Sequence, residues 1–107
     1  MADGLALTES TYYILLSLKQ PQHGYGIMQQ TEEMSRGRVR LAAGTLYGAL
    51  NTLCEKGWIE SARDADTGSR QKRYVLTSAG RAALEGELER LGELLENGRR
   101  ILKGEEK

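Results

Sequence analysis

Between Leu41 and Glu60 the chain reads LAAGTLYGALNTLCEKGWIE, and this stretch narrows its possible folds more than any other. At helical spacing, Leu46, Ala49, Leu50 and Leu53 fall on one side. Gly48, Asn51, Thr52 and Glu55 fall opposite, with Thr45 and Tyr47 on the flanks. The spacing predicts a helix from about Ala43 to Lys56, stopped by Gly57. Trp58 to Arg63 then reads as a strand, Asp64 to Ser69 as a turn cluster, and Arg70 to Leu76 as a returning strand. A helix with one apolar face needs other elements beneath it, and the flanking sequence supplies them.

Upstream, Thr8 is placed to cap a helix, with Leu7 stapling against Tyr12. The run Tyr12, Tyr13, Ile14, Leu15, Leu16 and Leu18 is apolar almost all round, as in a helix buried between a core and a second subunit. Pro21 is expected to end it. A second helix is expected from about Gly24 to Ser35, with Ile27, Gln30 and Met34 sharing a face and Arg36-Gly37 closing it. Arg38-Val39-Arg40-Leu41 alternates polar and apolar and reads as a very short strand.

Downstream, Thr77 can cap a last helix from about Ser78 to Lys103, roughly 39 Å long at 1.5 Å per residue. Leu84, Leu88, Leu91, Leu95, Gly98 and Leu102 follow heptad spacing, the signature of a dimerisation seam. Interior glycines each cost about 1 kcal/mol relative to alanine, so this helix needs a partner to pack against. The expected fold is mainly α with a small β-hairpin. Residues 1–76 form a winged helix-turn-helix, and residues 77–107 form a long C-terminal dimerisation helix packed on the same domain.

The chain has 107 residues and no net charge, but the charge is unevenly spread. Residues 1–34 carry −3, residues 35–75 carry +4 and residues 76–107 carry −1. The middle third is therefore the candidate anion-facing surface. The single Cys54 excludes an intramolecular disulfide and a multi-cysteine metal site. With no signal peptide and no apolar run of membrane-spanning length, a cytoplasmic protein is expected, away from membranes.

A short helix whose outer face is small and polar suits the major groove of double-stranded DNA. Asn51 can bond bidentately to adenine, and Thr52 can contact bases or a thymine methyl. Gly44 and Thr45 offer free backbone N–H groups and a hydroxyl to a phosphate, and Tyr47 a further hydroxyl. Gly48 removes a side chain where the backbone comes nearest to DNA. Gly48 is equally read as a close helix–helix contact, and Tyr47 as a partly buried core aromatic. The hairpin favours DNA, because Arg63, Arg70, Lys72 and Arg73 lie near its tip. Arg36, Arg38 and Arg40 form a second basic group before the helix.

An enzyme finds little support: there is no Walker sequence, no GxGxxG, no metal-ligand spacing, and one histidine with scattered serines makes no triad. No metal or other cofactor is expected. His23 reads as a turn or helix-start residue, Cys54 as a small buried hydrophobe and Trp58 as core. The alternative function is a winged-helix module that binds protein rather than DNA. Such a module would carry an apolar patch on the third helix, where this sequence is small and polar.

Four segments, LTESTYYILLSL (7–18), HGYGIMQQTEE (23–33), GTLYGALNTLCEKGWIE (44–60) and RYVLTSAGRAAL (73–84), closely resemble the PadR family of bacterial transcription regulators, small type with a single C-terminal helix. They cover most of the chain, and GTLYGAL followed by EKGWI is the most specific part. The resemblance implies a homodimeric repressor that binds a palindromic operator and is released by a small, often aromatic or planar, effector. By position it puts Thr45, Tyr47, Gly48 and Asn51 on the DNA-reading helix, Tyr25 on a phosphate, and Arg70, Lys72 and Arg73 in the wing. It implies a dimer interface from the first and last helices, here Leu16, Leu84, Leu88, Leu91, Leu95 and Leu102. The last helix carries no tryptophan along its seam, so Tyr12, Tyr13, Leu88, Leu91 and Leu95 are the expected effector surface.

Overall fold

Thr8 stands in extended backbone and its hydroxyl accepts from the Thr11 N–H, which starts α1, Glu9–Ser17. The helix ends at Ser17, four residues before Pro21, whose ring would meet the Ser17 carbonyl in a continued helix and which lacks the N–H to bond it. Ser17 Oγ donates to the Ile14 carbonyl (2.7 Å), and the chain turns at Leu18 with its N–H on Leu15. The computed structural model describes residues 6–63 and 72–104. The expected turn at Asp64–Ser69, and Arg70 with it, lies outside the described residues.

After α1 come β1, Gln22–His23; α2, Gly24–Met34; α3, Ala43–Glu55; β2, Ile59–Arg63; β3, Lys72–Leu76; and α4, Ser78–Leu102. The architecture is a winged helix-turn-helix with a long C-terminal helix. Its sheet has three antiparallel strands in the order β1-β3-β2. The hairpin register runs from Ile59 opposite Leu76 to Arg63 opposite Lys72, and on the other side of β3 Gln22 faces Tyr74 and His23 faces Arg73.

The strand expected at Arg38–Leu41 is absent, and the third strand is Gln22–His23 instead. Alternation alone does not make a strand; the open edge of β3 lies beside β1. Residues 38–41 form an extended connection anchored by Val39, which is buried and donates its N–H to Ser35 Oγ (2.9 Å). The buried stripe of α2 is Gly24, Ile27 and Thr31, one step round from the expected Ile27, Gln30 and Met34, and Met34 is exposed. Arg36 and Gly37 both adopt positive φ and close α2, as Gly57 (φ 77°) closes α3.

The core is built from Ile14, Leu15 and Leu18 of α1, Ile27 of α2, and Leu46, Leu50 and Leu53 of α3. Ile59, Tyr74 and Leu84 complete it. Leu84 thus belongs to the protomer's own core rather than to an outward seam. Beyond it α4 presents Leu88, Leu91, Leu94, Leu95, Ile101 and Leu102 as exposed apolar side chains.

Two junctions hold α4 to the domain. At its start, Thr77 caps Gly80 N–H (3.1 Å), donates its hydroxyl to Gly57 O (2.7 Å), and donates its N–H to Trp58 O (3.0 Å). A Cβ on Gly80 would overlap the Trp58 carbonyl oxygen and lie 2.9 Å from Leu76 Cδ1, so only glycine lets the helix start this close to β2. Two turns on, Glu87 is 5% exposed and its carboxylate takes two bonds from Arg90, 2.9 Å from Nε and 2.6 Å from Nη2. The Leu7 backbone N–H also bonds Glu87, tying the approach to α1 onto α4. The Arg90 hydrogen bond, opposed by burial, holds the Glu87 carboxyl below its ordinary range.

Gly80→Ala places the new methyl against backbone that cannot rotate away. It is expected to lower stability by about 1–3 kcal/mol, read as a shift in the urea midpoint. A carboxyl whose folded pKa is depressed adds stability above its unfolded value and loses it as pH falls through the folded one. The stability gap between the natural protein and Glu87→Gln is therefore expected at pH 7 and should shrink as pH falls below the ordinary carboxyl value of 4.5. Urea midpoints measured across pH 3–7 check this, and a gap that widens on acidification contradicts it.

Candidate nucleic-acid interface

The inner face of α3, Leu46, Leu50 and Leu53, is almost fully buried, which fixes the rotation of the helix about its axis. The outer residues Gly44, Thr45, Tyr47, Gly48, Asn51 and Thr52 are then exposed as a consequence. Nothing lies within 4 Å of a Cβ built on Gly44 or Gly48, so Gly48 is an opening in the surface and not a helix–helix contact. Ala42 at the N-cap provides no side-chain bond, so the first-turn amides of α3 are left to other acceptors.

Tyr47 and Asn51 meet the start of α2 and the returning strand of the hairpin around an open cleft of about 420 Å³. Its lining is His23, Gly24, Tyr25, Tyr47, Asn51, Lys72 and Tyr74. The sequence reading named four of these, Tyr25, Tyr47, Asn51 and Lys72, from three separate segments, and the fold brings them together. Lys72 and Tyr74 both line the cleft because side chains two apart on β3 share a face, while Arg73 between them points the other way. Tyr74 is the buried floor. Burial, with smaller effects of Tyr47 and Cys54, raises its phenol pKa above the usual value, which keeps it neutral.

His23, Gly24 and Tyr74 were missed as cleft residues. His23 occupies the N-cap of α2, makes no side-chain cap bond there, and pairs through β1 with β3. The signal available was the HGYG segment itself: a histidine and tyrosine alternating with glycines at a helix start.

Other expected contact residues sit elsewhere. Thr52 lines a second groove, of about 780 Å³, between α1, α3 and α4, and its hydroxyl bonds back to Gly48 O (3.2 Å). Arg40 pairs with Glu32 (3.4 Å), and Arg38 is held by Glu9 through Nε (2.8 Å), both at exposed positions. The Glu9 hydrogen bond raises the Arg38 pKa further above its already high value. The second groove is lined by Trp58, Leu7, Leu53 and several alanines, with Lys56, Glu87 and Arg90 as its charged members, and by none of the five residues proposed for an effector. Lys56 Nζ stands 5.2 Å over the Trp58 ring. Tyr12 and Tyr13 pack edge to face, 5.9 Å between centroids. Among the described residues there is no group of three metal-ligating side chains, and no helix is long and apolar enough to cross a membrane.

The chain is similar to several known proteins. A transcriptional regulator of Mycobacterium tuberculosis is 39% identical over 64 residues, covering 60% of this chain and 60% of its own length. An uncharacterized 37.1 kDa protein in a Streptomyces fradiae transposon is 39% identical over 74 residues, covering 69% of this chain but 20% of its own length. The chain thus spans a fifth and about three-fifths of the curated relatives it matches. The crystal structure of a PadR family transcription regulator from Clostridium difficile superposes with a TM-score of 0.72 at 26% identity, covering 89% of this chain and 99% of that one. The model of the Transcriptional regulator PadR-like family matches residues 14–86, from the first buried residue of α1 to the third turn of α4. The chain belongs to the PadR-like family, a family of transcriptional regulators and not of enzymes.

Proposed function

We propose that this chain is a DNA-binding transcriptional regulator whose reading element is α3 and whose phosphate contacts come from the start of α2 and from the wing. One observation carries the reading: Tyr47 and Asn51 of α3, Tyr25 of α2 and Lys72 of β3 converge on one open cleft. An amide, phenol hydroxyls and an ammonium together suit a duplex edge, where phosphate contacts fix the register and base contacts specify sequence. The polar outer face of α3 argues against an apolar protein-docking surface there.

The chain acts as a homodimer through the exposed apolar stripe of α4, with Leu88, Leu91 and Leu95 on its heptad seam. Gly98 on the same seam has nothing within 4 Å in the protomer, which leaves room for a second copy to approach closely. Two α3 helices then read a two-fold operator with half-sites about one turn apart, ~34 Å. The regulator is a repressor in the cytoplasm, released by a small aromatic or planar effector bound near Tyr12, Tyr13 and the α4 stripe. The exposed side chains of Leu88, Leu91 and Leu95 support this part of the reading.

Lys72→Ala should weaken binding to every duplex and reduce the salt slope by about one. Asn51→Ala should instead change the preferred sequence, costing about 1–3 kcal/mol at one base position. Selection from random DNA followed by salt titration checks both, and unchanged affinity in both variants defeats the proposed site. Leu91→Glu with Leu95→Glu should give a folded monomer in sedimentation and lose binding to the two-fold site.

A further inference from the structure

Gly24 is the first residue of α2, is buried, and does not use the positive-φ conformation that usually calls for glycine. Its missing side chain is used by another residue. A Cβ at Gly24 would lie 2.9 Å from Tyr47 Cζ and 3.3 Å from Cε1, and nearer still to the hydroxyl oxygen. The Tyr47 ring therefore crosses from α3 and rests its hydroxyl end where any other residue at 24 would put its side chain. The neighbouring Gly26 gives up its space differently: Gln22 crosses it and donates to Gln30 Oε1 at 2.5 Å, within α2 and β1. Gly44, on α3 itself, has no neighbour at all within reach.

We infer that Gly24 is a positioning residue for DNA recognition, setting the pose of Tyr47 beside Asn51 and Lys72. This rests on the cleft being the DNA-reading site. Tyr47 is 44% exposed, so one part of the ring is seated and the other presented. A tyrosine loses only two side-chain torsions when held, and a seat that holds them before binding removes that ordering from the binding step. The atoms that block a Cβ are the far end of a rotatable side chain, not backbone. Gly24→Ala therefore leaves both helices in place and turns Tyr47 out of its seat. At this negative-φ position alanine also restricts the unfolded chain more than glycine does, so stability does not fall with affinity.

The test uses the full chain and a duplex selected by it from random DNA. Binding and thermal unfolding are measured for Gly24→Ala, Tyr47→Ala and the double variant. Gly24→Ala should unfold no lower than the natural protein yet bind about tenfold more weakly, the order of one lost hydrogen bond. The double variant should bind no more weakly than Tyr47→Ala alone, because the glycine matters only through the tyrosine. Unchanged affinity in Gly24→Ala, an additive loss in the double variant, or an unfolded Gly24→Ala each overturns the inference. A nuclear Overhauser contact between the Tyr47 ring and the Gly24 α-protons in the free protein is expected and reads the seat without DNA. Its absence overturns the positioning even where DNA binding is intact. Failure of the natural chain to select any duplex, with that contact present, overturns the DNA reading and the inferred role with it.

Discussion

Leu46, Leu50 and Leu53 lie on one side of α3 and are sealed against Ile14, Leu15, Leu18, Ile27 and Ile59. Fully burying a leucine stabilises by roughly 1.5–3 kcal/mol, so three of them define one rotation of α3 against all others. Everything on the outer face follows from that rotation. Gly48 opens outward, Asn51 and Tyr47 reach the cleft, and Thr52 turns towards the second groove. A shift of one residue in the apolar pattern would keep a helix but bury the polar face, at a cost in unsatisfied groups that the core cannot supply.

The wing is fixed by a different force. β3 is hydrogen-bonded on both sides, to β2 within the hairpin and to β1 just before α2. The two-residue β1 is short, yet it joins the strand carrying Lys72 to the helix start carrying Tyr25. Leu76 N–H reaches across to the Leu18 carbonyl (3.0 Å), so the end of α1 is tied to the same strand. The end of α1, the start of α2 and the described strands of the hairpin are therefore hydrogen-bonded to one strand, β3.

Much of this was legible in the residues because the relevant signals are local. The apolar period of α3, Gly57 after it, Thr8 and Thr77 as caps, and the heptad of α4 each depend on a few neighbours in sequence. The misread parts depend on partners far along the chain. Arg38–Leu41 alternates like a strand but has no free edge beside it, while Gln22–His23 carries no strand signature and gains one from β3. Leu84 shares the heptad spacing with Leu88, but the first turns of α4 lie on the domain and bury it. Gly24 reads as a helix-start glycine, and nothing near it names Tyr47, twenty-three positions on, as the reason.

The charge pattern changes meaning for the same cause. By sequence the +4 of residues 35–75 is one basic block. In the fold, the acidic first third reaches part of it: Glu9 meets Arg38 and Glu32 meets Arg40. Exposed pairs of this kind contribute at most about 1 kcal/mol each and weaken with salt, so they do little for stability. They do neutralise part of the block locally, while Lys72 lines the cleft itself. On the proposed reading, Arg40 exchanges its weak, exposed pair with Glu32 for a phosphate near the start of α3, because so shallow an ion pair costs little to break.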